Sequence, residues 1–283
     1  MAKLLMISGD RALASGTRGA FYNMLAEFHR HWDRVDIICP RIGSGKLKDE
    51  SLFGNVFVHP SPWPLLLQPL WIFREGLRIL KANGYPPAGR AGMLSAKSYF
   101  MTVHEYPPFY NGLGARWLHR ATGVPYVLEL MHIPGYPRAG SLKEKFYSWL
   151  TVMYIRHDAK PARAVRVINQ KETPKFLKRA GVPAEKLVYI SAMYIDTDTF
   201  RPMAVQKEYD LVYTARLERN KGILELLKAL RYVKQAFPDV RLLIVGTGSL
   251  KGALERFIQN NGLGRNVTFP GWLPTHDDVA KAY

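Results

Sequence analysis

Short apolar segments alternate with amphipathic segments along the chain, and this alternation limits the choice of fold more than any other feature. A first strand is predicted at Lys3–Ser8, a helix at Ala20–His31 and a second strand at Val35–Cys39. Strands that alternate with helices form parallel βαβ units. The pattern continues with strands near 56–59, 98–103, 126–131, 164–168 and 187–190, and with helices near 70–82, 112–122, 143–156 and 171–180. It predicts an α/β fold with a doubly wound parallel sheet.

A second series of strands and helices follows the segment Asp196–Pro202. Its strands are predicted near 209–214, 240–245 and 266–269, and its helices near 223–236 and 249–260. The sequence therefore predicts two domains, residues 1–195 and 196–283. Three strands are few for a doubly wound domain whose sheet is covered on both faces. We therefore expect the second domain to be incomplete, with a helix just starting at Asp277–Tyr283.

The composition is that of a globular protein whose basic residues are concentrated in the first domain. Apolar residues make up 47% of the 283 residues and charged residues 22%, which argues against disorder. The single cysteine, Cys39, excludes a disulfide framework and favours a reducing compartment. Residues 1–195 contain 27 Lys and Arg against 13 Asp and Glu, and the remainder 13 against 10, for a net charge of +17. Such a surface attracts nucleic acid, anionic lipid or phosphorylated substrates, unless it serves only solubility.

No stretch is long enough to span a membrane, but one has the composition of an interfacial segment. The N-terminus reaches Asp10 too early for a signal peptide and is predicted as a strand. Trp63–Phe73, the most apolar stretch, has 11 residues, whereas a spanning helix needs ~20. The basic residues Arg74, Arg78 and Lys81 follow it, which suits a segment lying at an anionic membrane surface. An ordinary buried helix and loop would account for it equally.

The strongest local signal for chemistry is the segment Thr214-Ala-Arg-Leu-Glu-Arg-Asn-Lys-Gly222. A predicted strand ends near Thr214 and a helix begins near Gly222, so Arg216 and Lys221 lie at the carboxyl end of a parallel strand. Ligands of doubly wound sheets bind at that end, and the helix N-terminus adds a positive field. Two cations in this field suit the binding of a diphosphate. They would also stabilise the negative charge that develops as the diphosphate leaves. A solvated loop with ordinary charges is the alternative interpretation.

Two glycine turns occupy similar positions. Gly246 and Gly248 follow the strand that ends at Val245, and Gly16 and Gly19 follow the first strand. Glycines in such turns let a ligand approach the backbone, and the first-domain turn could hold a phosphate or an acceptor sugar. The second-domain turn is not a dinucleotide-binding match, because a lysine takes the third glycine's place. Tight turns without a ligand would explain both pairs.

A lone histidine, His132, follows the predicted strand at 126–131. At a strand end it could hydrogen-bond a sugar hydroxyl or shuttle a proton, although a lone histidine is often structural. His104-Glu105 follows another strand and is predicted to be a solvent-exposed loop. The sequence contains no metal-ligand spacing and no nucleophile elbow, so no metal site is expected.

Three segments, ARLERNKG, AFPDVRLLIVGTGSLKGALE and NNGLGRNVTFPGWLP, resemble the retaining glycosyltransferases of family 4, which have the GT-B fold. The resemblance is dense over 196–283 and looser in the first domain, where it covers the first glycine turn, TGVPYVLELMH and IDTDTFRP. It implies two Rossmann-like domains facing each other across a cleft, the first binding the acceptor and the second a nucleotide-diphosphate sugar. Transfer would retain configuration, with no metal and no cofactor beyond the sugar donor.

The resemblance also implies roles for individual residues. It puts Arg216 and Lys221 on the donor diphosphate, His132 near the donor sugar, and Gly16 with Gly19 in a loop over the reaction centre. The chain departs from the family in having Met193-Tyr194 where Asn-Gly is usual. The family's pair of donor-site glutamates would lie beyond Tyr283. We therefore expect the chain to be a fragment that has little or no transferase activity alone.

The sequence leaves three functional hypotheses. The first is a sugar transferase of envelope polysaccharide or glycolipid synthesis, acting on a glycan or lipid-linked acceptor, in the cytoplasm or on the inner face of the cell membrane. The second is a related GT-B enzyme such as a nucleotide-sugar epimerase or phosphorylase. The third is a non-catalytic basic module that binds membrane or nucleic acid. No nucleic-acid-binding pattern is present, so no nucleic-acid partner is expected.

Overall fold

The computed structural model describes residues 2–11, 13–16, 20–43, 51–85, 99–137, 139, 141–191 and 195–283. The chain divides into two compact units, which we call unit 1 (residues 1–194) and unit 2 (residues 195–283). Each unit is built on its own parallel sheet.

Unit 1 contains a seven-stranded sheet in the order β3-β2-β1-β4-β5-β6-β7. All six strand pairs are parallel, and the strand order reverses between β1 and β4, as in doubly wound folds. The strands are β1 (Lys3–Ile7), β2 (Arg34–Cys39), β3 (Val56–Pro60), β4 (Tyr99–His104), β5 (Tyr126–Leu130), β6 (Ala164–Val167) and β7 (Leu187–Tyr189).

Among the residues of unit 1 that the structure describes, five α-helices lie between strands. They are α1 (Ala20–Phe28), α2 (Gln68–Ala82), α3 (Tyr110–Thr122), α4 (Leu142–Ala159) and α5 (Glu172–Arg179). Because side chains alternate across a strand, Leu4 and Met6 of β1 enter a core cluster with Leu25 of α1. Leu5 and Ile7 enter a different cluster, with residues of α2, α3, α4 and α5. Helices therefore cover both faces of the sheet.

Unit 2 contains a three-stranded parallel sheet in the order β10-β9-β8. Its elements are β8 (Leu211–Thr214), α6 (Ile223–Ala236), β9 (Leu242–Val245), α7 (Lys251–Asn260), β10 (Val267–Gly271) and α8 (His276–Ala282). One core cluster joins the strands to α6 and α7, through residues such as Leu227, Ile244 and Leu254. Thr275 caps α8, accepting a hydrogen bond from the Asp278 amide at 3.1 Å.

The α/β fold and its parallel sheets confirm the prediction from alternating strands and helices, with element ends shifted by a few residues. The prediction for His104-Glu105 is wrong. Glu105 is only 1% exposed, because its side chain turns inward beneath α3 rather than into solvent. The segment Trp63–Phe73, whose composition suits a membrane interface, is only partly exposed, because Trp71 and Phe73 pack against the core.

Candidate functional site

The carboxyl ends of β8 and β9 bring four of the predicted site residues together in unit 2. Arg216 and Lys221 lie in the loop between β8 and α6, and Gly246 and Gly248 lie in the loop between β9 and α7. Because β8 and β9 are parallel neighbours, both loops leave the same edge of the sheet. We call these segments, residues 215–222 and 246–250, the paired loops.

Backbone hydrogen bonds join the paired loops directly. The Leu217 amide donates to the Thr247 carbonyl at 2.9 Å, and the Leu250 amide donates to the Leu217 carbonyl at 3.0 Å. The Gly246 amide donates a hydrogen bond to the Gly271 carbonyl at 2.8 Å, which extends the connection to β10. The loops are therefore positioned mainly by main-chain atoms, which do not depend on rotamers or charge.

Close packing between the two backbones explains both glycines. Gly246 has a φ of +138°, and a Cβ there would overlap the Ala215 carbonyl oxygen. A Cβ on Gly248 would lie 2.5 Å from the Leu217 carbonyl oxygen. Only glycine tolerates both the conformation and the approach. The close contact that these glycines permit is with the neighbouring loop.

The two predicted cations are exposed on the first of the paired loops. Neither Arg216 nor Lys221 forms an ion pair with another residue that the structure describes. The Lys221 carbonyl accepts a hydrogen bond from the Tyr213 hydroxyl at 2.8 Å, and Gly222, with a φ of +71°, starts α6. The cations are thus free to meet an anion beside the N-terminus of a fourteen-residue helix.

The acidic residue of the same loop, Glu218, already has a hydrogen-bond partner. Glu218 accepts hydrogen bonds from the Ser249 hydroxyl at 2.7 Å and from the Ser249 amide at 3.2 Å. The Ser249 hydroxyl, then its amide and the nearby Arg216 charge lower the pKa of the Glu218 carboxyl. This residue was missed in the sequence, although it lies inside the motif and the serine three residues beyond Gly246 was visible.

The remaining predicted site residues belong to unit 1. His132 is exposed, two residues after β5, and forms no hydrogen bond with another described residue. Gly16 has a φ of +80° and open space around it, so its conformation alone favours glycine. Gly19 lies outside the described residues. The structure thus gives unit 2 a local cluster of site residues and leaves those of unit 1 as separate positions.

A second candidate site in unit 1 was not foreseen from the sequence. A cavity of about 580 Å³ lies at the carboxyl ends of the neighbouring strands β1, β2 and β3, lined by Arg11, Arg41, Ile42, Gly43, Pro64 and Leu65. Both arginines are exposed. Arg11 follows β1 and Arg41 follows β2, so the pairing of these neighbouring strands brings the two residues to one cavity. Two guanidinium groups at one opening favour an anionic ligand.

A buried carboxyl pair lies elsewhere in unit 1. Glu105 and Asp158 are each 1% exposed, and a Cβ on Gly112 would meet one oxygen of each. Burial, and then the neighbouring Asp158, raise the pKa of Glu105 well above its ordinary range. Burial raises the pKa of Asp158 to about 7, against the opposing charge of Arg116, whose Nε lies 3.9 Å from the carboxylate. The pair holds a proton near neutral pH.

The described residues contain neither a metal-binding cluster nor a membrane-spanning helix. In the ranges given above, no group of three or more His, Cys, Asp or Glu side chains could hold a metal ion. None of the helices that the structure describes is long and apolar enough to cross a bilayer.

Comparison with known proteins shows which family unit 2 is similar to. Residues 195–283 match the family model "Glycosyl transferases group 1". The alpha-D-kanosaminyltransferase of Streptomyces kanamyceticus is 25% identical over 170 residues, which are 55% of this chain and 44% of that protein. WcaL of Escherichia coli, named for colanic acid biosynthesis, is 30% identical over 104 residues, or 36% of this chain and 25% of WcaL. The chain thus spans less than half of these curated relatives.

Solved structures share the fold of the whole chain. HepE from Anabaena, solved with UDP and glucose, gives a TM-score of 0.65 at 16% identity, over 99% of this chain and 71% of HepE. Sucrose-phosphate synthase from Thermosynechococcus elongatus gives a TM-score of 0.69 at 16% identity, over 99% of this chain and 73% of the synthase. Residues 195–283 are therefore similar to the group 1 glycosyl transferases, and the chain has the GT-B fold. The resemblance seen in the sequence is confirmed at this level.

Proposed function

We propose that the chain belongs to an enzyme that transfers a sugar from a nucleotide-diphosphate sugar to a glycan or lipid-linked acceptor, with retention of configuration. The observation that carries the proposal is the pair of exposed cations, Arg216 and Lys221, on a loop held by backbone contacts beside the N-terminus of α6. The family match over 195–283 and the UDP bound in a protein of the same fold support a nucleotide-sugar donor.

The chemistry requires the diphosphate to leave as negative charge builds on its oxygens. The bond between the sugar's anomeric carbon and the diphosphate oxygen breaks, and the acceptor oxygen bonds to the same carbon on the same face. The proton of the acceptor hydroxyl passes to the departing diphosphate. Arg216 and Lys221 would stabilise the departing charge, because preorganised charges act without reorganising during the reaction. On this proposal the cations suffice and no metal is required. His132 would hydrogen-bond a hydroxyl of the donor sugar.

The acceptor is proposed to bind in unit 1. The cavity lined by Arg11 and Arg41 lies at the carboxyl ends of three parallel strands, where ligands of doubly wound sheets bind. Its charge favours an acceptor that carries phosphate or carboxylate. Such an acceptor suits synthesis of envelope polysaccharide or glycolipid, which also fits the relative named for colanic acid biosynthesis.

The donor half of the proposal is tested by nucleotide affinity and turnover. Isothermal titration with UDP should show binding that Arg216→Ala and Lys221→Ala each weaken by about tenfold, the loss of roughly one charge-assisted contact. Where sugar transfer is followed, turnover should fall about 100-fold, as for loss of one preorganised charge. Arg219→Ala is the matched control, since Arg219 is an equally exposed cation of the same loop.

Three outcomes would change the proposal. If Arg219→Ala were as damaging as Lys221→Ala, the diphosphate site would be wrongly assigned. If nucleotide-sugars were isomerised without an acceptor, the epimerase hypothesis would take its place. If the chain bound DNA in a filter-binding assay but bound no nucleotide, the hypothesis of a non-catalytic basic module would be favoured.

A further inference from the structure

Helix α4 turns its most apolar side away from the core of unit 1. Leu142, Phe146, Trp149 and Met153 follow one another at spacings of three or four residues, so they form a single stripe along the helix. They are 82%, 55%, 56% and 49% exposed. We call these four residues the α4 stripe. The opposite side, with the buried residues Thr151, Ile155 and Asp158, faces the core.

This arrangement reverses the usual pattern of a surface helix, whose polar side faces water. The buried side of α4 carries a hydroxyl and a carboxyl group, whereas the solvent side carries large apolar side chains. Within the stripe, Phe146 and Trp149 contact each other with ring centroids 5.9 Å apart. A continuous exposed apolar surface of this kind marks a region that binds another surface.

The charged residues that border the α4 stripe indicate what that surface is. Lys143 and Lys145 lie beside its first turns and Arg156 beside its last, and all three are exposed. The one acidic residue in the first turn, Glu144, is only partly exposed, and its amide is capped by Ser141. Aromatic and aliphatic side chains bordered by basic ones suit the boundary of an anionic bilayer. The charge balance of residues 1–195, 27 − 13 = +14, acts in the same direction.

We propose that the α4 stripe is a membrane-docking surface that inserts into the headgroup region of an anionic bilayer, with Lys143, Lys145 and Arg156 on the lipid phosphates. This places the interfacial surface on α4 rather than on Trp63–Phe73, where the exposed large apolar side chains are Leu66, Leu67 and Leu70. The inference extends the proposed function by naming a partner. Vesicle binding is measured without nucleotide or sugar transfer, so either proposal can fail alone.

The test is cosedimentation of the chain with vesicles of phosphatidylcholine, alone or mixed equally with phosphatidylglycerol. We expect strong binding to the mixed vesicles at low salt, weaker binding at high salt, and little binding to the neutral ones. The double variant Phe146→Ser/Trp149→Ser should weaken binding by at least tenfold, because both rings would otherwise leave water. Lys143→Gln and Lys145→Gln should each weaken it about fivefold and reduce its salt dependence.

Two control variants separate this surface from other apolar positions. Leu66→Ser/Leu67→Ser removes the competing leucines of the 63–73 segment. Tyr232→Ser/Phe237→Ser removes two side chains of unit 2 that are 72% and 66% exposed. Both should bind vesicles like the parent, and circular dichroism should show that every variant keeps the parent's helix content.

Each of three results would overturn the proposal. The first is unchanged vesicle binding by both the aromatic and the lysine variants. The second is loss of binding in the leucine variant alone, which would return the interface to the segment Trp63–Phe73. The third is a dimer in sedimentation velocity that the aromatic double variant abolishes, because a second copy of the chain would then cover the stripe.

Discussion

Carboxyl and amide side chains take part in the loops at the strand ends of unit 1, whereas the paired loops of unit 2 meet through close backbone contacts. In unit 1, the Asp10 carboxylate accepts a hydrogen bond from the Leu13 amide at 3.1 Å. The Glu105 carboxylate accepts one from the Tyr106 amide at 3.1 Å, and the Asn111 side chain donates one to the His104 carbonyl at 2.9 Å. In unit 2, Leu217 is bonded through both its amide and its carbonyl to the paired loop. The buried carboxyl group of Glu105 in unit 1 responds to protonation, whereas the close backbone contact in unit 2 responds to added side-chain volume.

The largest expected effect is therefore on unit 2, from adding one methyl group to the paired loops. Gly246→Ala and Gly248→Ala should each destabilise the unit by about 3 kcal/mol or more, because the new Cβ meets a carbonyl oxygen and, at Gly246, the backbone is strained as well. Urea unfolding combined with hydrogen exchange of the β8 and β9 amides would measure the change.

Gly252→Ala is the control for these variants. Gly252 lies in α7, and the nearest atom to its added Cβ is a guanidinium nitrogen of Arg256 at 3.8 Å. Alanine is the better helix former by about 1 kcal/mol, so this substitution should be neutral or stabilising. Equal destabilisation by all three substitutions would show that the paired loops are not specially constrained.

A smaller effect is expected in unit 1 as the pH changes. Because burial raises the folded-state pKa of Asp158 to about 7, the folded state binds its proton more tightly than the unfolded state. The free energy of unfolding should therefore fall as pH rises from about 4 to 7, by roughly 2–4 kcal/mol for this group. Asp158→Asn cannot lose a proton and should be less sensitive to pH over that range, as measured by urea unfolding at several pH values.

The matched control is Glu185→Gln, which removes an exposed carboxyl group of the same unit and should leave the pH profile of the parent unchanged. Parallel profiles for the parent and Asp158→Asn would contradict the account of the buried pair. They would mean that Arg116 compensates the Asp158 charge in the folded state.

Local patterns made much of the fold predictable, but not which distant residues meet. Helix α6 begins and ends where its periodicity predicts, at Ile223 and Ala236. Helix α2 begins at Gln68, two residues early, because Pro69 is tolerated in a first turn. The cavity with Arg11 and Arg41 was invisible because the sheet order, not the sequence spacing, brings the strand ends together.

The same limit applies to the candidate site and to the surface of unit 1. Arg216 and Lys221 could be predicted as site residues because strand, cations and helix start are contiguous in the sequence. The burial of Glu105 could not be predicted, because its partner Asp158 lies on α4, far along the chain. The outward side of α4 was also hidden, because the sequence pattern predicts burial of its apolar side, whereas in the structure Thr151 and Asp158 are buried and Phe146 and Trp149 are exposed.

The central claim is that the paired loops of unit 2 bind the diphosphate of a nucleotide donor. Hydrogen exchange of the chain with and without UDP tests it most directly, read on peptides that cover 215–222 and 246–250. The account predicts slower exchange in both loops when UDP is present, and weaker protection in Arg216→Ala at the same UDP concentration. Protection of other segments alone, or equal protection in Arg216→Ala, would contradict it.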